Sequence, residues 1–250
     1  MAKAPGRKKT KSRNPGRVRA ALTQLRMHPL AALRGLLLRA ALFVVAVILL
    51  LVLLFAFVNP PTTQTMWSEG RRLGQPVRQS WVPLEEIAPV MARSAVAAED
   101  ANFCLHWGFD VTAIRAAISE GSRRGGSTIT QQVVKNVFLW QERSWLRKAL
   151  EAAITPAVEA IWSKKRILEV YLNIAEMDEG VFGVGAASAR YFGVEPAGLG
   201  ATQSARLAAV LPSPRTRSAG KPSSGLRRRA AQIADGAATI RADGRADCFQ

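Results

Sequence analysis

Two carboxylates, Glu99 and Asp100, stand side by side in the stretch EDANFCLHWG (Glu99–Gly108), among Ala98, Phe103 and Trp107. Apolar, partly dry surroundings raise a carboxylate's pKa and make it a stronger base, so Glu99 is a candidate for taking a proton. Next comes GGSTITQQVVKN (Gly125–Asn136). Its glycines free the backbone, and Ser127 and Thr128 offer hydroxyls and amides at a helix start, a place that attracts phosphate. Gln131 and Lys135 then fall one turn apart, as do Thr128 and Gln132. A third stretch, RKALE (Arg147–Glu151), spaces Arg147 and Lys148 four and three residues ahead of Glu151. Such triplets are usually helix-surface ion pairs worth a few tenths of a kcal/mol. Beside Lys135, however, Arg147 and Lys148 are also candidate phosphate ligands, and arginine's planar fork suits an oxyanion.

Two further stretches read as mainly structural. In RILEVYLN (Arg166–Asn173), Leu168, Tyr171 and Leu172 form a packed helix face, and in GVGAASARYFG (Gly183–Gly193) small residues allow close helix approach. Taken singly, each of these signals has a bland explanation: a solvated acidic pair, a capped helix, a surface ion pair.

Composition removes several function classes. The net charge of +17 is concentrated at the ends. Residues 1–39 carry eleven Lys/Arg and no Asp/Glu, residues 215–250 eight basic and three acidic residues, and residues 40–214 sixteen against fifteen. A nucleic-acid protein would more often spread basic surface over its folded body, so no nucleic-acid partner is expected. His28 and His106 are the only histidines, too few for a histidine-rich metal site. Gly121–Thr128 nearly matches a phosphate-binding P-loop but has Ser127 where the lysine is required and no strand ahead of it. Cys104 and Cys248 are read as two free thiols, with one long-range bridge the alternative in an oxidising compartment.

The elements that must position these residues are helical. Leu42–Val58 has no polar side chain, and with Leu36–Ala41 ahead of it the run is long enough to cross about 30 Å of hydrocarbon. Fifteen of its seventeen residues are Leu, Ile, Val or Phe, which favours insertion by roughly 5–9 kcal/mol. The run exceeds a signal peptide's apolar region and ends in Asn59-Pro60-Pro61, so an uncleaved anchor is expected. The basic flank ahead of it predicts a cytoplasmic N-terminus, with everything after Val58 outside. The segments are a basic tail (1–35), an anchor (36–58), a linker (59–81), a helical domain (82–214) and a basic tail (215–250), partly helical from Leu226 to Ile240. Within the domain, a helix after Pro83 ends near Glu99. Asp110, Ser127 or Thr128, Ser144 and Ser163 cap the next helices, Pro156 kinks one of them, and Gln203–Leu211 closes the set before Pro212. No alternating strand run stands out.

In this order and spacing the five stretches resemble the family-51 glycosyltransferases, the peptidoglycan polymerases; the likeness runs from about Val82 to Pro214. It implies a mainly α, lysozyme-like, two-lobed domain behind a single transmembrane helix. It also implies an inverting transfer between lipid II and a growing glycan chain, at the outer face of the cell inner membrane. By position in the motifs, Glu99 would be the base and Glu151 the second essential carboxylate. Lys135, Arg147 and Lys148 would meet the pyrophosphate, and Ser127, Gln132 and Asn136 would supply polar contacts around the donor. Asp100 would support Glu99, and His106 would be a structural hydrogen-bonder. Residues 109–126, with Arg123 and Arg124, would form the mobile membrane-near segment. A divalent cation, Mg or Mn, is a candidate at the pyrophosphate, and no organic cofactor is expected. Other cell-wall synthesis proteins are candidate partners. Ser218-Ala219-Gly220-Lys221 matches the transpeptidase Ser-x-x-Lys, but only about thirty residues follow, so the match is read as chance. The rival readings are a glycan-cleaving enzyme, which needs no cation cluster, and a silent membrane scaffold, which needs no Glu99.

Overall fold

The computed structural model describes residues 29–119 and 126–250. The expected tail up to residue 28, with residues 120–125 of the expected mobile segment, including Arg123 and Arg124, lies outside them. The chain divides into two compact units, one ending at Leu50 and one running from Leu51 to Gln250.

Helix α1 runs Pro29–Phe55. At 1.5 Å per residue its span Leu30–Phe55 is about 39 Å long, and it is apolar enough to cross a membrane. The end of α1 falls in the second unit. There Trp162 Nε1 donates to Val52 O (2.7 Å), and the Arg166 guanidinium donates to Phe55 O (3.0 and 3.1 Å) and Val58 O (3.0 Å). The guanidinium thus supplies a donor to Phe55 O, a carbonyl at the helix end, while Val52 O also accepts from Ala56 N (3.2 Å).

The second unit is mainly helical, as the spacing of apolar residues predicts. Its helices are α2 (Gln64–Leu73), α3 (Pro89–Glu99), α4 (Val111–Ser119), α5 (Ile129–Phe138), α6 (Trp145–Ile161), α7 (Lys164–Ile174), α8 (Gly183–Phe192), α9 (Ala201–Val210) and α10 (Ser224–Ala242). Thr128, Ser144 and Ser163 cap α5, α6 and α7 with their hydroxyls, which decides between Ser127 and Thr128. Helix α6 runs through Pro156. Helix α5 packs on both α6 and α7, and the fully buried face of α7 includes Ile167, Leu168, Tyr171 and Leu172. A small sheet, in the order β1–β3–β2, joins Arg78–Gln79, Val181–Phe182 and Glu176–Asp178. Strands of two or three residues are too short to show alternation in sequence. Gly183 follows at φ +78°, where an added Cβ would lie 2.7 Å from Asn173 O. Only glycine fits this crossing of α7 and α8.

Two boundaries differ from the sequence reading. The expected linker holds α2, whose Thr65 hydroxyl donates to Asn136 Oδ1 (3.3 Å) on α5. The expected C-terminal tail holds α10, which packs on α3 and α9. Leu226, Ala230, Ile233, Ala237 and Ile240 recur at helical spacing and are buried, while Arg227 and Arg228 face solvent. The helix expected from Leu226 to Ile240 is thus present, and what the basic composition hid is its packing on the domain. Cys104 and Cys248 are bonded as a disulfide, not free, although 144 residues separate them.

Candidate active site

Glu99 is the last residue of α3, a helix held by the buried side chains of Met91, Ala92, Ala95 and Val96. Asp100 follows as its C-cap and is itself buried. Both oxygens of Asp100 are used by the protein: Oδ2 accepts from Ile129 N (3.0 Å) and Oδ1 meets His106 Nε2 (2.8 Å). Asp100 thus pins the end of α3 to the start of α5. Thr128 starts α5 through a reciprocal bond pair with Gln131, and its hydroxyl donates to Gly108 O (2.7 Å). Gly108 has φ +84°, and a Cβ there would lie 2.6 Å from Thr155 Cγ2. The loop carrying His106 is thereby pressed onto α6.

From that start, α5 presents Gln132 and Lys135 on one face. Gln132 Nε2 donates to Glu99 Oε2 (2.9 Å), and Tyr171 OH lies 3.5 Å from Gln132 Oε1. Helix α6 brings its first turns alongside. Arg147 Nη1 donates to Glu151 Oε2 (2.7 Å), while Lys148 Nζ donates to Glu151 Oε1 and to Ser127 Oγ (3.1 Å). A cavity of about 210 Å³ opens between α5 and α6, lined by Ser127, Gln132, Lys135, Arg147, Lys148 and Glu151. Gln131, Gln141 and Arg143 also line it, and the sequence reading did not single them out as site residues. Arg143 follows a loop with no periodic signal; its nearness to Arg147 and Lys148 in sequence was the one clue.

Burial pushes the Glu99 carboxyl above its usual pKa, and the charge of Asp100 adds to this; the Gln132 bond, Arg229 and Lys135 oppose it. Burial lowers the Lys135 ammonium, and the like charges of Arg147 and Lys148 lower it further, against the pull of Glu151 and Glu99. Arg229 on α10 is a contributor that the sequence reading placed in a tail.

Three residues of the expected site do not line the cavity: Glu99, which meets it through its bond to Gln132, and Asp100 and Asn136. Asp100 is buried with both oxygens engaged, which makes it a brace for Glu99. Asn136 is turned toward α2, where Thr65 and Gln141 donate to its Oδ1. Helical rotation of about 100° per residue separates its direction from that of Lys135. The residues also do not fit a resident metal. Both Glu151 oxygens are taken by cations, and among the described residues no three His, Cys, Asp or Glu converge.

The family model described as transglycosylase matches residues 67–238. The chain belongs to the transglycosylase family. This transglycosylase is 60% identical over 218 residues to the biosynthetic peptidoglycan transglycosylase of Jannaschia sp. (strain CCS1), covering 87% of this chain and 91% of the relative. The protein of the same name in Caulobacter vibrioides is 47% identical over 223 residues, 86% of this chain and 96% of that one. The protein of that name in Pseudomonas fluorescens is 48% identical over 206 residues, 78% and 85% of the two chains. The match to the transglycosylase model begins inside α2 and ends inside α10, wider at both ends than the motifs alone suggested.

Proposed function

We propose that this transglycosylase polymerises lipid II into β-1,4-linked glycan at the outer face of the cytoplasmic membrane. The donor is a growing chain whose MurNAc C1 carries undecaprenyl pyrophosphate; the acceptor is the GlcNAc 4-hydroxyl of lipid II. Glu99 takes the hydroxyl proton as the oxygen attacks C1 from the face opposite the leaving group. The C1–O bond to pyrophosphate breaks, its electron pair leaves with the phosphate oxygen, and the α-linkage becomes β. Lys135, Arg147 and Lys148 hold the departing anion, with Ser127 and Gln132 beside them, and Glu151 orients Arg147 and Lys148. Cations fixed where charge develops favour the transition state over the ground state.

One observation carries the reading. Gln132 links the two halves of the chemistry, donating to Glu99 and lining the cationic cavity, and this supports a base and cations acting side by side. Two observations support the placement. The basic flank precedes the apolar run, and the domain beyond it holds a disulfide, a bond that persists in oxidising compartments. Tethering also confines enzyme and lipid-linked substrate to one plane, raising effective concentration.

The test is turnover of labelled lipid II by the purified full chain in detergent or liposomes, with and without magnesium, with products separated on a gel. Long glycan is the expected product. Cleavage of finished polymer with no consumption of lipid II would replace this reading with that of a glycan-cutting enzyme.

A further inference from the structure

We propose that the C-terminal segment Ser224–Gln250 is a positioning element for Glu99, locked in place by the Cys104–Cys248 bridge. The proposal rests on the assignment of Glu99 as the base.

The contacts fall on both sides of Glu99. Ahead of it, Gly236 packs so closely on Ala97 that an added Cβ would lie 3.3 Å from the alanine Cβ. Arg229 Nη2 donates to Ala98 O (3.3 Å). Behind it, Arg245 Nη1 donates to Ala101 O (3.0 Å), the Phe249 ring lies 6.3 Å from that of Phe103, and Cys248 is bonded to Cys104. Ala246 and Phe249 are buried. One segment therefore grips residues 97–104, while α5 holds the other side of the same stretch through Ile129 N on Asp100 and Gln132 on Glu99.

The gripped loop needs such support. Beyond α3 it consists of a turn and one 3-10 turn, Phe103–Leu105, whose hydrogen bonding is poorer than an α-helix's. A base must stay within hydrogen-bond reach of its proton, and a displacement of about 1 Å lowers a rate by up to about a hundredfold. The family match ends at residue 238, so Arg245, Cys248 and Phe249 lie beyond it. The clasp thus begins inside the matched domain, with Arg229 and Gly236, and its bridge lies beyond the match.

The experiment uses the full chain in liposomes, comparing wild type, Cys104→Ser, Cys248→Ser and the double variant. Wild type is also assayed after dithiothreitol, which reduces the bridge to two thiols in a protein that has already folded. The readouts are kcat, KM for lipid II and the acid limb of the pH–rate profile. The groups facing Glu99 are Asp100, Gln132 and Lys135, Arg229 from α10 and Tyr171 from α7, and all remain in these variants. Opening the clasp lowers kcat about tenfold with KM little changed. It also moves the acid limb to lower pH, because water reaches a carboxyl that burial had pushed up. The double variant matches the single ones, and dithiothreitol reproduces the loss in wild type but changes nothing in Cys248→Ser. If kcat and the acid limb stay at wild-type values while only thermal stability falls, the bridge is a staple and the proposal is overturned. A wild-type protein inert toward lipid II would instead sink the functional reading, before any variant is made.

Discussion

Replacing Glu99 with glutamine separates catalysis from folding, because the two respond with opposite signs. The Glu99→Gln side chain has the same shape, and its amide oxygen can still accept from Gln132 Nε2, the bond that is 2.9 Å long in the wild type. What disappears is the charge and the ability to take a proton. A positioned general base is worth about 10²–10⁴ in rate, so lipid II turnover should fall by that factor, or about 3–5.5 kcal/mol of transition-state stabilisation. Stability should move the other way. Burial raises the Glu99 pKa above 4.5, so the folded state binds this proton more tightly than the unfolded state. Across the window between 4.5 and the raised value, stability therefore declines as pH rises, and at neutral pH the ionised carboxylate is a net burden on the fold. The Glu99→Gln variant removes that burden. Its unfolding temperature at pH 7–8 should equal or exceed that of wild type, and the difference should vanish well below pH 4.5, where both are neutral. Initial rates on lipid II and thermal unfolding at two pH values supply the measurements. Turnover within threefold of wild type would refute Glu99 as the base. A fall in melting temperature in step with the rate would show that the carboxylate is a structural anchor.

The remaining expectations concern the cations and the backbone. Since Lys135 is depressed by burial and by Arg147 and Lys148, it loses its proton below the ordinary lysine value of 10.5. The rate should fall on the alkaline side of the profile, and Lys135→Arg should move that limb upward; an unmoved limb assigns it to another group. Arg147→Ala removes a cation that lines the cavity and should lower kcat roughly 10²-fold with a smaller change in KM, whereas an unchanged kcat would remove Arg147 from the site. Gly183→Ala places a Cβ 2.7 Å from Asn173 O at φ +78° and should cost about 1–3 kcal/mol, read as a lower unfolding temperature; an unchanged transition would deny the close crossing.

What the sequence made legible was local. A 3.6-residue spacing and a hydroxyl ahead of it were enough to place α5, α6 and α7, with caps at Ser144 and Ser163 and, for α5, at Ser127 or Thr128, of which the structure uses Thr128. They also put Gln132 and Lys135 on one helix face. What it hid was long-range or one residue out of phase. Nothing near Cys104 or Cys248 shows that a loop of 144 residues closes between them. Asn136 shares a helix with Lys135 but points to α2, and only the tertiary partner Thr65 reveals this. Asp100 reads as a second acid beside Glu99 until Ile129 N and His106 Nε2 are seen to occupy it. The Ser218-x-x-Lys221 match proves to be a turn, with Lys221 N donating to Ser218 Oγ (3.2 Å).

The two glutamates of the site differ through their partners, and this difference dictates their work. Glu151 accepts from a guanidinium and an ammonium at once, so both of its oxygens are engaged by cations. Glu99, whose one hydrogen-bond donor among the described residues is the neutral amide of Gln132, keeps its basicity. Lys135 stands between them and feels both, while Arg147 and Lys148 press against its charge. Four cations, Lys135, Arg143, Arg147 and Lys148, line a cavity of about 210 Å³ and repel one another across it. An anion entering there relieves the repulsion, and an anion gaining charge as its bond breaks relieves it more. Under the proposed mechanism the cluster would bind the departing pyrophosphate more tightly than the intact linkage, which is the condition for accelerating the transfer and not merely capturing its substrate.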